Sequence, residues 1–282
     1  MQPGAAWGAM AVFERYVPWM IYAKDRDLLE FYFTVPNRPG GLKEALDVFA
    51  RYAVNILNLS VHSMPEWERA PVFLFADFTE LDVDVEDVKR ELEFVTGDRV
   101  YVKEARVRGF MMDEFAFPIY VLPSVRSIMV VEPDFHEMIK GVYEKLGDVT
   151  AVFLYHLAYS GGKFLARYLS ERLSLDRREL LAEVLKVYQA GGWGRVELVR
   201  YDLRQLDIVV RVYDSIECKI FKGSTRPASQ FIRGHLSGLL SELLGEDIRV
   251  IEAKCIAMGD PYCEFYAERV RTGELKEGLR RV

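Results

Sequence analysis

Several residue types are scarce in this chain of 282 residues. It contains three cysteines and four histidines, and asparagine and glutamine together number only seven. An odd, small number of cysteines argues against the disulfide framework of a small secreted protein. Scarce amides beside 25 arginines are typical of proteins from thermophiles, which concerns the source of the protein and not its function.

Long apolar runs and blocks of like charge are also missing. No run of 18 apolar residues predicts a membrane-spanning helix. The apolar stretch at 11–23 is interrupted by Glu14, Arg15 and Pro18, so we expect no signal peptide. The net charge is −6 with both signs mixed, which gives direct nucleic-acid binding little support. We therefore expect a cytoplasmic protein without a membrane span.

Residues 28–107 show the patterns of alternating strands and helices. Aromatic and β-branched residues at 29–35 predict a strand, and apolar residues at helical spacing predict a helix at 42–52. The later segments predict two strands, a helix and a strand, at 55–63, 72–78, 83–94 and 99–107. The order βαββαβ is that of a ferredoxin-like fold.

The loop after the first strand reads Pro36-Asn-Arg-Pro-Gly-Gly41, and Asn55-Ile-Leu-Asn58 follows the first helix. With these motifs the segment resembles an ACT domain, a small regulatory module that commonly binds amino acids. Glycines at a helix N-terminus expose backbone N–H groups that can hold a carboxylate. The resemblance implies an amino-acid site and a role in amino acid metabolism, with Asn37, Pro39, Gly40 and Gly41 as binding residues. The alternative is that Pro39 and Gly40 only shape a turn.

Residues 135–269 predict a second domain of mixed helices and strands. A strand is predicted at 127–131 and helices at 135–146, 149–172, 177–189 and 227–244. Further strands are predicted at 195–202, 208–213, 249–257 and 262–268. Two of the predicted helices contain glycines, which are costly there by helix propensity. Close packing of another backbone, or room for a ligand, would explain Gly161, Gly162, Gly234 and Gly238.

Near the C-terminus, Glu252, Cys255 and Cys263 surround a predicted tight turn at 258–261. Three soft or borderline ligands in twelve residues suit a zinc site. In an ideal strand Glu252 and Cys255 would point to opposite faces, so both can reach one metal only if the strand bulges or bends. The alternative is two buried thiols or a Cys255–Cys263 disulfide, with Glu252 exposed.

From about 125 to 268 the chain resembles the 4-vinyl reductase domain, which is described as binding small hydrocarbon-like molecules. The matching motifs are the glycine pair at 161–162, the segment 227–238 and the closing segment 252–265. In aromatic-sensing relatives one Glu and three Cys hold a structural zinc. The resemblance implies Glu252, Cys255 and Cys263 as ligands, with Ser229 where the remaining cysteine would be. The fourth ligand is left open among Ser229, Cys218, His235 and water.

The same resemblance places a pocket for an apolar or aromatic ligand between helices and sheet. Aromatic walls with a few polar groups suit such a ligand, although each residue alone could be an ordinary core residue. The candidate lining residues are Tyr155, His156, Tyr159, Trp193, Tyr201 and Phe231. Among their polar groups, His156 is the first candidate for contact with the ligand.

The sequence thus predicts an α+β protein: a ferredoxin-like βαββαβ domain, then a mixed α/β ligand-binding domain with helices packed on an antiparallel sheet. The predicted boundaries are 1–26 for an N-terminal extension, 27–108 for the ACT-like domain, 109–134 for a linker with first strands, 135–269 for the second domain and 270–282 for a charged tail. No dinucleotide, Walker or His-Glu-x-x-His motif is present, which favours a non-catalytic sensor.

Two other functions compete with the sensor. One is a reductase-type enzyme acting on a hydrophobic or tetrapyrrole substrate, and the other is an assembly scaffold with the same fold. A sensor without a DNA-binding module would act through an effector protein that the sequence does not identify. Both resemblances imply a homodimer.

Overall fold

The computed structural model describes residues 13–270, which divide into two compact units, 13–128 and 129–270. Each unit contains helices and antiparallel sheet, so the predicted α+β class is confirmed. Only part of the predicted extension 1–26 is described, and all but the first residue of the predicted tail 270–282 lies outside the described residues. Within residues 13–270, no helix is long and apolar enough to cross a membrane.

The first unit begins with a short strand and continues through the predicted βαββαβ order. Its elements are β1 (Met20–Tyr22), β2 (Leu28–Pro36), α1 (Gly41–Arg51), β3 (Asn55–Val61), β4 (Arg69–Asp77), α2 (Val85–Thr96), β5 (Tyr101–Glu104), β6 (Phe110–Met112), β7 (Tyr120–Leu122) and β8 (Val125–Arg126).

The main sheet of this unit has the strand order β3-β4-β2-β5, with every pair antiparallel. This order confirms the ferredoxin-like prediction, because the first and third strands of the motif lie at its centre. Alternate residues of β2 and β4 pack against α1 and α2, with Phe31 and Phe33 fully buried beside Phe49. On the opposite face, the β1–β6 pair contributes Met111 to a small cluster with Phe75.

The predicted strand at 99–107 is shorter than expected, because the chain turns at Gly109. The N–H of Gly109 donates to the carbonyl of Arg26, and its φ of +78° favours glycine. A strand predicted at 127–131 is wrong. Those residues are irregular, since the short β7–β8 pair ends just before them and gives them no neighbouring strand.

The second unit follows the predicted alternation of helices and strands with small changes at the ends. Its elements are α3 (Glu132–Leu146), α4 (Val149–Ser170), α5 (Arg177–Ala190), β9 (Arg195–Asp202), β10 (Asp207–Tyr213), α6 (Gln230–Leu244), β11 (Ile248–Lys254) and β12 (Cys263–Arg269), with 3₁₀ helices at Cys218–Phe221 and Ile256–Met258.

The four strands of this unit form one antiparallel sheet in the order β11-β12-β10-β9. Its buried face packs against α5 and α6, so that Leu181, Ile232 and Phe265 belong to one hydrophobic core. This arrangement agrees with the predicted helices on an antiparallel sheet. The core also includes the three cysteines, which places the predicted metal ligands between the sheet and α6.

Glycines allow α4 and α6 to approach each other closely. A Cβ atom on Gly162 would lie 2.1 Å from the carbonyl oxygen of His235. A Cβ on Gly234 or Gly238 would lie 2.1 or 1.9 Å from the carbonyl oxygens of Tyr155 and Tyr159. Of the two explanations that the sequence left open for these glycines, the structure supports close packing of a second backbone.

Candidate metal centre and ligand site

Four buried side chains meet between the sheet and the beginning of α6. Cys218 comes from the first 3₁₀ helix, Glu252 from β11, Cys255 from the residue after β11, and Cys263 from the first residue of β12. One potential ligand atom of each lies within 4.8 Å of the others. Cys218, one of the alternatives left open for the fourth ligand, therefore completes a set of three thiols and a carboxylate.

A β-bulge allows Glu252 and Cys255 to reach the same centre. Glu252 pairs with Phe265, but Lys254 pairs with Glu264, so the register shifts between these two pairs. The extra residue on β11 reverses the alternation of side chains after Glu252. The predicted requirement for a bulge is confirmed, and Glu252 is buried and not exposed.

The turn between the two strands presents backbone groups to the sulfurs. The N–H of Ile256 donates to Sγ of Cys263 at 3.5 Å, and the N–H of Cys255 donates to Oδ2 of Asp260 at 2.8 Å. Gly259 ends the short 3₁₀ helix with a φ of +100°, which suits only glycine without strain. These bonds hold both thiols at one place.

Ser229 lies beside the centre and orients its carboxylate. Its N–H donates to Oε2 of Glu252 at 3.0 Å, and its hydroxyl donates to Oε1 at 2.7 Å. The same hydroxyl is 2.8 Å from Sγ of Cys218. His235, another alternative for the fourth ligand, is instead hydrogen-bonded to the hydroxyl of Tyr188.

The centre favours negative charge on one sulfur. Hydrogen bonds from Cys218, 3.5 Å away, and from Cys263 lower the pKa of Cys255. The partner thiols are correspondingly harder to ionise, and hydrogen bonding with Cys255 raises the pKa of Cys218 to about 12. Burial, followed by the charge of Cys255, raises the pKa of Glu252 to about 8. A cation would relieve this crowding of acidic groups.

The donor set fits zinc. Three thiolates and one carboxylate are ligands that Zn²⁺ accepts, and four protein ligands define a closed structural site. The three cysteines are free and the second Sγ–Sγ contact, between Cys218 and Cys263, is 3.3 Å. The alternative of a Cys255–Cys263 disulfide is therefore wrong for this structure. When bound, zinc would cross-link three separate segments of the second unit.

Sequence reasoning missed Glu217, the neighbour of Cys218. Its carboxylate is fully buried and accepts hydrogen bonds from the N–H groups of Phe231 at 2.8 Å and Ile232 at 3.0 Å. Burial raises its pKa to about 7, although these backbone bonds act in the other direction. Glu217 thereby ties the segment with Cys218 to the first turn of α6. No local pattern indicates this role, because its partners are distant in sequence.

The candidate aromatic pocket is only partly assembled. Trp193 packs edge-to-face on Tyr188, Phe231 and His235, with ring centroids 5.1–5.4 Å apart. Burial lowers the pKa of His235 to about 4, so this histidine is neutral near pH 7. The predicted histidine, His156, instead lies on the exposed face of α4.

The remaining aromatic candidates lie in two places. Tyr155 and Tyr159 stack on each other along α4 at 6.2 Å, and the guanidinium of Arg233 lies 5.0 Å from the centre of the Tyr155 ring. Tyr201 lies against the hydrophobic core, and burial raises its pKa to about 12. The structure does not bring the exposed His156 to Trp193, and His235 takes the expected position beside that ring.

In the first unit, the candidate amino-acid loop is a shaped turn. The side-chain amide of Asn37 donates to the carbonyls of Met64 and Trp67 at 2.9 and 2.7 Å. Gly40 has a φ of +88°, and a Cβ on Gly41 would lie 2.2 Å from the carbonyl oxygen of Pro36. Both glycines are therefore needed for the turn itself. Pro39 is exposed at its tip.

Two family models match the chain. The model described as the ACT domain matches residues 30–93, and the model of the 4-vinyl reductase domain matches residues 208–269. The chain therefore combines an ACT domain with a C-terminal 4-vinyl reductase domain, as its motifs indicated. The second match includes all four members of the buried centre, and the ACT match includes the Asn37–Gly41 loop, which holds the candidate amino-acid residues.

Similar curated proteins come from Methanocaldococcus jannaschii and are described as uncharacterized. Two of them are 26% identical to this chain over 102 and 109 residues, which is 36% and 39% of this chain. The chain spans 59% and 61% of the length of these relatives. A third is 38% identical over 64 residues, which is 22% of this chain and 28% of that protein.

Among solved structures, the chain is similar to the phenol-responsive sensory domain of the transcription activator PoxR with phenol, at 18% identity and a TM-score of 0.49. That match covers 56% of this chain and 85% of the other. A vinyl-4-reductase family protein from Methanocaldococcus jannaschii is 20% identical, with a TM-score of 0.36 and coverage of 51% and 85%. A trafficking protein particle complex subunit 3 from Naegleria fowleri, covalently bound to palmitic acid, is 15% identical, with a TM-score of 0.35 and coverage of 50% and 95%.

Proposed function

We propose that this protein is a non-catalytic sensor of small molecules, in which the 4-vinyl reductase unit binds an apolar or aromatic ligand and is braced by a structural zinc. The observation that carries the proposal is the combination of an ACT domain with a second unit whose core contains Cys218, Glu252, Cys255 and Cys263. A site with four protein ligands leaves no open position for a reacting molecule, which favours a structural over a catalytic metal.

For the ACT unit we propose a second ligand, an amino acid at the loop containing Asn37, Pro39, Gly40 and Gly41. The loop leads directly into the N-terminus of α1, where backbone N–H groups favour a carboxylate. Because the amide hydrogens of Asn37 are already bonded, its oxygen is the group left for the ligand's ammonium. A ligand in either unit would favour the conformation that it binds better, and an effector protein would respond to that change.

For assembly we propose a homodimer through α4. Large apolar side chains, each more than half exposed, recur along one face of this helix at helical spacing: Val149, Val152, Phe153, Leu157 and Phe164. Such a stripe is unusual on a monomer surface. Covering it symmetrically in two copies would hide on the order of 1,000 Å² of surface, which reaches the lower range of stable interfaces.

The experiment that tests the function is native mass spectrometry of the full chain, purified without added ligand, with elemental analysis of the same sample. We expect zinc bound to each chain and an organic molecule retained non-covalently. The molecule should be recovered unchanged after incubation. Turnover of the retained molecule would instead support the reductase-type enzyme, and a protein without any ligand across a panel of aromatic and aliphatic compounds would support the scaffold.

A further inference from the structure

A cleft of about 520 Å³ lies beside the metal centre in the second unit. One wall comes from the end of α3 and the beginning of α4, and the other from the segment that joins the first 3₁₀ helix to α6. The residues used below are Tyr143, Asp148, Ala151, Phe221, Lys222 and Arg226. Its volume is in the range of small-molecule sites in proteins.

The walls of the cleft combine aromatic rings with a cation. Tyr143 and Phe221 meet edge-to-face with ring centroids 5.1 Å apart and provide an apolar surface. At the rim, Arg226 is paired with Asp148, so its charge is compensated. Lys222 is exposed and has no acidic partner among residues 13–270. The uncompensated cation beside aromatic rings suits a small anion with an aromatic body.

The segment that forms one wall also holds the metal centre. It starts directly after Cys218 and leads into Ser229. Between them, the N–H of Ala228 donates to Sγ of Cys255 at 3.5 Å, and the N–H of Gly223 donates to the carbonyl of Ala257 at 2.9 Å. A molecule that orders this segment would therefore also order the ligands of the metal.

We infer that this cleft is the ligand site of the 4-vinyl reductase unit, that it accepts small aromatic carboxylates through Lys222, and that its occupancy is coupled to metal binding at the thiol centre. The inference rests on the proposed sensing function and specifies where and what this unit senses. It moves the ligand away from the closely packed rings around Trp193 to a cleft that is already open. Because coupling is reciprocal, the ligand must tighten metal binding as much as the metal tightens ligand binding.

The first test measures binding of benzoate to the zinc-loaded full chain by calorimetry. Lys222→Ala should weaken benzoate binding about tenfold, since it removes a charged partner. Ala151→Trp should abolish binding by filling the cleft. Lys145→Ala is the matched control, because it removes an exposed lysine near the end of α3 that does not line the cleft. It should leave the affinity unchanged.

The second test measures transfer of zinc from the protein to a competing chelator. Saturating benzoate should lower the fraction transferred by about fivefold or more in the wild type and have no effect in Lys222→Ala. This variant changes only an exposed side chain, so it keeps the fold that the comparison requires.

The inference is overturned if benzoate fails to bind, if it binds Lys222→Ala and Ala151→Trp as well as the wild type, or if it leaves zinc transfer unchanged. The sensing function fails separately, when the native protein retains no small molecule in the mass spectrometric survey. A retained molecule whose binding ignores both cleft variants would therefore exclude this site while leaving the sensor intact.

Discussion

At the residue scale, the pair Ser229 and Cys218 decides how the centre is completed. The residue that would be cysteine in zinc-binding relatives is Ser229, but its hydroxyl and N–H both bond to Glu252. The third thiol is supplied by Cys218, from a segment 11 residues earlier, at 2.8 Å from that hydroxyl. The serine thus orients a ligand and is not one of the four donors.

The first prediction concerns the metal. Cys255→Ser should reduce bound zinc to a small fraction of the wild-type content and lower the melting temperature by about 10 °C, because a structural metal contributes directly to folding free energy. Metal content is measured by elemental analysis and melting by calorimetry. Met258→Ser changes an exposed residue of the same turn and should retain both values. If Cys255→Ser also retains them, the zinc proposal is wrong.

A second prediction concerns Glu30, a carboxyl on β2 that is only 1% exposed. Burial, reinforced by the side chain of Asp113, raises its pKa to about 8 from an ordinary value of 4.5. Between these values the folded chain keeps a proton that the unfolded chain has lost. Its contribution to stability is therefore full below about pH 4.5 and is lost as the pH rises toward 8.

Glu30→Gln should remove this loss, which is at most about 1.4 kcal/mol per pH unit for one proton. The measurement is the free energy of unfolding by denaturant at several pH values between about 5 and 8.5, the window in which the proton is lost. The difference between wild type and variant should grow in favour of the variant as the pH rises. Glu104→Gln, an exposed acid on β5, should show no such trend. Parallel curves for Glu30→Gln and the wild type would contradict the prediction.

At the scale of elements, local patterns predicted most helices and strands. Apolar residues at helical spacing in α1 and alternation in β2 reflect burial on one face, and a pattern of this kind survives in any fold that buries it. The predicted strand at 127–131 failed because a strand requires a partner, and partners are set by distant residues. The bulge in β11 was required by the spacing of Glu252 and Cys255, and the register shift confirms it.

The third prediction tests the contact between α4 and α6. Gly238→Ala should destabilise the second unit by about 3 kcal/mol or more, because its Cβ would lie 1.9 Å from a backbone oxygen and would force the helices apart. Gly161→Ala is the matched control: its Cβ would meet only a side-chain atom at 3.8 Å, and alanine favours a helix by up to about 1 kcal/mol. Thermal and denaturant unfolding measure both. Equal effects of the two changes would refute the close-packing explanation.

At the scale of the whole molecule, the two units carry separate sites, and the proposed sensor needs a surface for assembly. The fourth prediction is that Phe153→Asp on the exposed stripe of α4 converts a dimer to a monomer, as measured by light scattering during gel filtration. An unpaired charge in the centre of an apolar interface is costly when buried. Phe94→Asp removes a more exposed ring, 87% accessible, from α2 and should leave the dimer intact. A monomeric wild type would disprove the proposed dimer.

The amino-acid sequence was sufficient for the two-domain plan, the ferredoxin-like order of the first unit, and three members of the buried centre, because these depend on short-range periodicity and on residues close together in the chain. Only the tertiary structure decided that Cys218 is the fourth member, that Glu217 fastens it to α6, and that His235 and not His156 lies beside Trp193. Each of those outcomes depends on how separate segments pack, and packing joins residues whose separation in sequence carries no periodic signal.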